Sequence, residues 1–309
     1  MFKNLMIYAL GEAWHPQLAD VEAALQSQTF TPCTALQDKS VGWVPPRGQA
    51  HGALVEAVAG HWVMRLMIET RSVPASVVRR EAEQRIAEIE QQTGIKPGRK
   101  QRRDILDDVR LALLPQAFAR QIGVWVWVDR EQQRLLVDAG AQGRADEVVS
   151  ALMKTLPGLQ VSLLHTTQTP QSAMTGWLLA ESPDEWPEGL HVERDGLLKA
   201  MGDEPASIRY SRHPLTSDDV REHVRQGRLP VQMAMSWNGL VGFVLTDTMQ
   251  IKRIRFLDGS DEAIDDQDRF DADVVLATGH LGPLLDGLIE ALGGRLESAT
   301  MAALNHAPA

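Results

Sequence analysis

Apolar and polar residues follow two different periods along this chain, and each period predicts a different kind of element. Alternating or short apolar runs predict strands at residues 2–10, 53–60, 61–70, 123–129, 132–138 and 159–166. Helical spacing predicts helices at residues 15–29 and 145–156, the first with Leu18 and Val21 turned inward. Two successive prolines supply no backbone donors, so the segment 42–48 is predicted to be irregular.

Two amphipathic runs between residues 73 and 120 predict a pair of antiparallel helices. Apolar residues recur at helical spacing in both runs, at Val78, Ala82, Ile86 and Ile89 and then at Ile105, Val109, Ala112 and Leu113. Pro74 suits a first helical position, and Gly94 with Pro97-Gly98 forms a short turn between the helices. Because strands are predicted on both sides, we expect the pair to be an insertion.

The second half of the chain begins with a segment rich in Thr, Gln, Pro and Glu, residues 167–205, which predicts a domain boundary near residue 166. A helix at 215–228 is predicted to be capped near Thr216, with Asp219 in the reciprocal position. Asn238-Gly239 between two apolar runs predicts a tight hairpin. A strand at 249–257 and a leucine-striped last helix follow.

Together these elements predict an α+β fold with antiparallel sheets. We divide it into a central α+β domain (1–72 and 121–166), an inserted basic helical tip (73–120) and a second α+β base domain (167–309).

Charge changes this picture, because it is distributed unevenly. The 309 residues carry a net charge of −10, yet residues 71–120 hold 11 Lys or Arg against 7 Asp or Glu, a net +4. Five cations crowd the turn between the two predicted helices, Lys96, Arg99, Lys100, Arg102 and Arg103. A basic projection on an acidic body suggests a local contact with a polyanion. A solvated helical hairpin whose charges serve only solubility is the alternative interpretation.

Candidate catalytic chemistry is sparse. The chain has one cysteine, Cys33, which we interpret as a small buried residue, and nine histidines without the spacing of a zinc site. No nucleophile elbow, phosphate-binding loop or dinucleotide fingerprint occurs. Eight carboxylates within residues 258–273 are either a Mg²⁺ site for phosphodiester chemistry or a solvated acidic loop. We therefore expect no catalytic residues, no metal and no cofactor.

Aromatic and basic residues offer two further candidates. Eight tryptophans could stack nucleic-acid bases, but Trp125 and Trp127 alternate with valines and are expected in the core. Arg212 and His213, beside Arg209 and Tyr210, form either an exposed contact patch or an ordinary strand end. The absence of a signal peptide or membrane span predicts a soluble, cytoplasmic protein without a membrane partner.

Seven segments resemble the bacterial family of recombination-associated protein RdgC. They are FKNLMIYAL (2–10), FTPC (30–33), GWVPPRG (42–48), LLPQAFAR (113–120), LTSDDV (215–220), KRIRF (252–256) and FDADVVLATG (270–279). The resemblance implies horseshoe-shaped subunits that pair into a closed homodimeric ring around duplex DNA. It also implies sequence-independent DNA binding, nucleoid association and restraint of the RecA recombinase, with single-stranded DNA as a second possible ligand.

The same resemblance assigns roles by position. Phe118 corresponds to an aromatic residue implicated in ring closure, with Gln116 where relatives are usually basic. Arg212 and His213 correspond to a basic residue and a polar amide implicated in DNA contact. The complete set of expected DNA contacts is Lys96, Arg99, Lys100, Arg102, Arg103, Arg120, Arg212, His213, Arg253 and Arg255.

Two other functions stay open at this point. A metal-dependent nuclease or phosphoesterase would use the carboxylates of residues 258–273, and magnesium-dependent loss of DNA would reveal it. An interaction protein would instead present its basic helices to an acidic protein and show no affinity for DNA.

Overall fold

The computed structural model describes residues 1–202, 206–257 and 266–296. This part of the chain is a mixed α and β fold with two antiparallel sheets and seven α-helices. The acidic residues 258–265 therefore lie outside the described residues.

The first sheet has seven strands in the order β2–β4–β5–β6–β1–β7, with β3 also paired to β4. Their bounds are β1 Met6–Leu10, β2 Lys39–Val44, β3 Val55–Val58, β4 His61–Arg71, β5 Ala119–Asp129, β6 Arg134–Val137 and β7 Val161–Leu163. The adjacent strands predicted at 53–60 and 61–70 form an antiparallel hairpin as β3 and β4, and those predicted at 123–129 and 132–138 form another as β5 and β6.

Successive side chains of these strands point to opposite faces of the sheet, and the apolar side chains of one face pack against two helices, α1 (Leu18–Gln26) and α4 (Gln142–Thr155). Met64 and Leu66 of β4 and Val126 of β5 lie in this core. Val21 of α1 is buried there as predicted, and so is Leu25, but Leu18, which was predicted to face inward, is exposed at the first position of the helix.

The second sheet has five strands in the order β12–β11–β10–β8–β9. Its strands are β8 Leu190–Ala200, β9 Ser207–Tyr210, β10 Arg228–Trp237, β11 Val241–Thr246 and β12 Ile251–Phe256. Three helices cover it, α5 Pro170–Leu179, α6 Asp218–Arg225 and α7 Asp266–Ala291. The Asn238-Gly239 turn is confirmed, since both residues have positive φ and the Leu240 N–H donates to the Trp237 carbonyl.

The leucine stripe of the last helix is also confirmed. Leu281, Leu284, Leu285 and Leu288 are all fully buried against the second sheet. From Arg269 to Ala291 this helix is long and apolar enough to cross a membrane, with a mean hydropathy of 1.2. A buried core helix of a soluble protein meets the same criterion, so the helix is weak evidence for a membrane span.

The start of the chain joins the two sheets. Leu5 and Ile251 exchange both backbone hydrogen bonds, at 2.7 and 3.0 Å, and the Lys3 carbonyl accepts from the Ile254 N–H at 2.9 Å. The Asp138 carboxylate at the end of β6 accepts from the Lys3 and Asn4 N–H groups at 3.1 and 2.8 Å. Residues 3–5 are therefore bonded to the first sheet on one side and to β12 on the other.

Helices α2 (Ala75–Thr93) and α3 (Arg99–Leu113) lie between β4 and β5 in the sequence. They pack on each other through a small apolar cluster of their own, with Val78 and Ala82 facing Ile105 and Val109. Gly94 ends α2 in the left-handed conformation with φ of 69°, which only glycine adopts readily. Ala112 is exposed rather than inward, because Leu106 and Leu113 complete the packed face instead.

Four sequence predictions need correction at their ends. Residues 42–44 belong to β2, so the irregular segment begins only at Pro45. Pro74 is the cap of α2 rather than its first residue. Ser217, not Thr216, precedes α6, and its side chain makes no capping bond. Residues 266–273, predicted as loop, form the first two turns of α7.

The buried side chain of Arg134 on β6 forms one ion pair within the first sheet and a second with a half-exposed carboxylate of α7. Its guanidinium lies 2.7 Å from the buried Asp129 carboxylate and 2.8 Å from the Asp286 carboxylate of α7. Because the Arg134 side chain is only 3% exposed, neither it nor Asp129 has water as a substitute partner.

We predict that Arg134→Met lowers the free energy of unfolding by about 3–5 kcal/mol, because the Asp129 charge is left buried and unpaired. Denaturant unfolding measures this loss. Arg80→Met, which breaks the exposed pair with Glu81, is the control and should cost less than about 1 kcal/mol. Equal effects of the two substitutions would contradict the buried-pair argument.

Candidate nucleic-acid interface

The five predicted cations of the turn lie at the end of the α2–α3 pair. Lys96, Arg99, Lys100 and Arg103 are exposed, and within the described residues none of them forms an ion pair or a side-chain hydrogen bond. Arg102 is half-buried and donates its Nε–H to the Pro97 carbonyl at 3.1 Å. Four of the five cations are therefore available to an external anion, and we call them the tip cations.

The electrostatics of α3 favour an anion at the same place. The helix begins at Arg99, its Gly98 cap contributes no side-chain acceptor, and its first turn contains no acidic residue. Cations at a helix N-terminus face the positive end of the helix dipole and cost the helix about 0.3–1 kcal/mol each. An anion bound there would relieve that repulsion and accept from the unpaired first N–H groups.

A buried carboxylate holds the strand ends from which the helices leave the sheet. Glu69 on β4 accepts from the Cys33 N–H at 2.8 Å and from the Gln121 side-chain amide of β5 at 2.6 Å. These bonds, the Gln121 bond first, lower the pKa of Glu69 below its usual value of 4.5. Cys33 is buried as predicted, and burial raises the pKa of its thiol.

The residues between α3 and β5 include the most exposed apolar side chain among those described. Phe118 is 95% exposed, directly after the short 3₁₀ turn Leu114–Gln116. Gln116 and Arg120 are also exposed, and Arg120 lies opposite Thr70 on β4. Aromatic side chains are enriched among the residues that anchor contacts between protein chains, which makes Phe118 a candidate for such a contact.

Three of the predicted second-half cations meet on the second sheet. Arg212, Arg253 and Arg255 border one surface depression of about 430 Å³ together with Arg194 of β8. All four arginines are exposed, and among the described residues none pairs with a carboxylate. We call this feature the arginine depression. Arg194 carries no signal in the sequence, because the long-range pairing of β8 with β10 brings it there.

Two arginines of the depression have an unusual backbone. Arg212 and Arg253 both have φ of 54°, in the left-handed region that costs a non-glycine residue about 1–2 kcal/mol. The Asp195 carboxylate accepts from the Arg212 N–H at 3.1 Å, and the side-chain amide oxygen of Asn4 accepts from the Arg253 N–H at 3.3 Å. A β-bulge between Gly242 and Val244 accompanies the Arg253 conformation.

His213 is held by its own neighbours. Its Nε2 lies 3.1 Å from both the Ser217 hydroxyl and the Asp219 carboxylate, and its ring stacks on Tyr210 at 5.4 Å. The Ser217 hydrogen bond, and then the His213 bond, lower the pKa of Asp219. Asp219 therefore binds His213 instead of capping α6. Both polar partners share one histidine nitrogen, so this is not the geometry of a catalytic triad.

The other candidates lie away from these surfaces. None of the eight tryptophans is exposed, and Trp127 lies in the core as predicted. Trp125 is half-buried between the Arg65 guanidinium and Phe270. Within residues 1–202, 206–257 and 266–296, no group of three metal-ligating side chains comes together.

The whole described chain matches one family. The family model "Putative exonuclease, RdgC" covers residues 1–295, so the chain belongs to the RdgC family.

Individual relatives agree with this assignment. The chain is 40% identical to the recombination-associated protein RdgC of Janthinobacterium sp. (strain Marseille), over 96% of this chain and 99% of the relative. It is 41% identical to the protein of that name in Herminiimonas arsenicoxydans, over 95% and 98%. With that of Dechloromonas aromatica (strain RCB) it shares 39% identity, over 96% and 99%.

We predict that Glu69→Gln destabilises the protein at neutral pH, because the charged acceptor of two hydrogen bonds is lost. The lowered pKa of Glu69 makes this stabilisation complete above pH 4.5, and it is lost as the pH falls through the folded-state value. Thermal unfolding of both proteins between pH 3 and pH 7 measures it. A difference that stays constant over this range would contradict the role of the charge.

Proposed function

We propose that this protein binds duplex DNA without sequence preference, as a homodimeric ring that restrains RecA-dependent recombination. The observation that carries this proposal is the set of exposed, unpaired tip cations on a protein of net charge −10. Contacts from lysine and arginine to phosphates fix a protein on DNA without reading its sequence. Membership in a family of recombination-associated proteins supports DNA as the polyanion.

The arrangement of the subunit follows from the same proposal. A central domain (1–72 and 121–166), a basic helical tip (73–120) and a base domain (167–309) form a horseshoe. Two copies close it, so that cations face the hole and the acidic surface faces outward. Ten side chains line the hole of the proposed ring: Lys96, Arg99, Lys100, Arg102, Arg103, Arg120, Arg212, His213, Arg253 and Arg255. The protein is cytoplasmic and nucleoid-associated, and single-stranded DNA is a weaker ligand.

Fluorescence anisotropy with two unrelated duplexes over a salt series tests DNA binding. We expect equal affinities for both duplexes and a steep fall of affinity with salt, because phosphate contacts release counterions. A preference for one sequence, or no binding at low salt, would overturn the proposal and favour an acidic protein as the partner.

The tip cations should contribute measurably to the salt dependence. In the double variant Lys100→Gln/Arg103→Gln we expect the slope of log affinity against log salt to decrease in magnitude by about 1.8, since each lost phosphate contact removes about 0.9. The control variant Arg79→Gln/Arg80→Gln removes the same amount of charge from α2, at a point about 20 Å along the helix from the turn. It should change the slope much less. Equal slopes in the two variants would place the contacts elsewhere.

Phe118 and Gln116 are the residues that we assign to ring closure. Phe118→Ala should raise the dimer dissociation constant roughly 30-fold, because a buried aromatic anchor contributes about 2 kcal/mol or more to an interface. Analytical ultracentrifugation over a concentration series measures this. Ile95→Ala, which truncates the 74%-exposed side chain in the α2–α3 turn, should leave the dimer unchanged. If both variants dimerise like the wild type, Phe118 is not part of the contact.

The word exonuclease in the family model's description raises a second candidate function. We propose instead that the protein acts without catalysis or a cofactor. End-labelled duplex incubated with the protein and Mg²⁺ should remain intact. Progressive shortening that chelation of the metal stops would establish the nuclease instead.

A further inference from the structure

The arginine depression has features that a general cationic surface does not need. Four arginines from three separate places in the second sheet line it, namely Arg194 on β8, Arg212 after β9, and Arg253 and Arg255 on β12. Two carboxylates, Glu193 and Asp195, also line it. Like charges gathered in one concavity repel each other, so their grouping is unfavourable unless an anion binds between them.

The two carboxylates do not neutralise the arginines. Glu193 accepts a hydrogen bond from the Ser236 hydroxyl at 2.7 Å, and Asp195 accepts from the Arg212 backbone N–H at 3.1 Å. Both therefore bond to neutral donors, and Asp195 orients the backbone of an arginine instead of pairing with a side chain. The guanidinium groups keep their donors free for a ligand with several acceptor oxygens.

Backbone conformation is the second, independent observation. Six non-glycine residues in the described part of the chain have positive φ, and two of them, Arg212 and Arg253, border this one depression. Neither position requires a side chain for packing, because both arginines are exposed. Glycine would adopt the same backbone conformation without strain. Strained backbone that local packing does not explain is typical of binding sites.

We propose that the arginine depression is a preformed site for a single phosphate group, in which Arg212 and Arg253 are held in strained backbone conformations to direct their guanidinium groups at the phosphate oxygens. This inference deepens the proposed DNA binding by assigning one discrete phosphate subsite on the second sheet. The phosphate comes from the DNA backbone in that account, and free inorganic phosphate shares the same chemistry.

The test uses the intact protein and inorganic phosphate as the probe. Thermal unfolding is followed as phosphate replaces chloride at constant ionic strength, so that a specific site appears as saturable stabilisation. We expect Arg212→Gly and Arg253→Gly to keep or raise the unfolding temperature without phosphate, because strain is relieved. We expect each to raise the dissociation constant for phosphate about tenfold, through loss of one charge-assisted hydrogen-bonding group.

Two kinds of control variant separate the effect of backbone strain from the effect of the guanidinium charge. Gln133→Gly relieves a residue of similar φ, 49°, in the turn between β5 and β6, and should alter stability in the same direction without affecting phosphate binding. Arg194→Gln and Arg255→Gln remove a guanidinium from the depression without a left-handed backbone. They should weaken phosphate binding without raising the unfolding temperature.

Three results would overturn the inference. The first is no difference between phosphate and chloride for the wild-type protein, and the second is an unchanged phosphate response in the glycine variants. The third is a clear fall in the unfolding temperature of Arg212→Gly and Arg253→Gly, which would show that their conformations are not strained.

A second titration, with duplex DNA, tests the phosphate site separately from the proposed DNA binding. The same variants are titrated with duplex DNA, and phosphate is added as a competitor. Saturable phosphate binding without any duplex binding would retain the site and reject the DNA role. Duplex binding that the variants do not weaken, together with no phosphate response, would retain the DNA role and reject the site.

Discussion

The first five residues of the chain are hydrogen-bonded to both sheets and so connect them. Leu5 pairs with Ile251 of β12, while the backbone of residues 3 and 4 is held by Asp138 of the first sheet. Burial raises the pKa of Asp138, and these two N–H donors partly oppose that rise. Asn4 also accepts from Arg253, so the junction that joins the two sheets helps to fix one wall of the arginine depression. Arg134 adds an ion pair from the first sheet to the half-exposed Asp286 of α7.

This junction has a functional consequence in the proposed ring. A subunit that surrounds DNA must hold its contacts at fixed separations, because phosphates lie at regular intervals along the duplex. The tip cations project from β4 and β5 of the first sheet, whereas the arginine depression belongs to the second sheet. In the proposed ring, the connection between the sheets would set the separation of the two groups of cations along one DNA molecule.

Local sequence chemistry predicted much of this fold but not its junctions. Gly94 and Asn238-Gly239 predicted the turns at their positions, because few other residues tolerate positive φ. The helical spacing of the leucines in α7 predicted its buried face. The tip cations were evident because all four lie within eight residues of the sequence. The meeting of Arg194 with Arg253 was not predictable, since it depends on long-range strand pairing and a β-bulge. The left-handed backbone of two arginines likewise contradicts their local preference and arises from tertiary hydrogen bonds.

The central claim is that the protein encloses DNA, and topology tests it most directly. The protein would be loaded onto a covalently closed circular duplex and onto the same duplex after linearisation, and its release at raised salt would be followed. A ring slides off free ends but stays linked to a circle, so we predict much slower release from the circular DNA. Equal release from both forms would contradict the ring and leave an open, surface-bound protein.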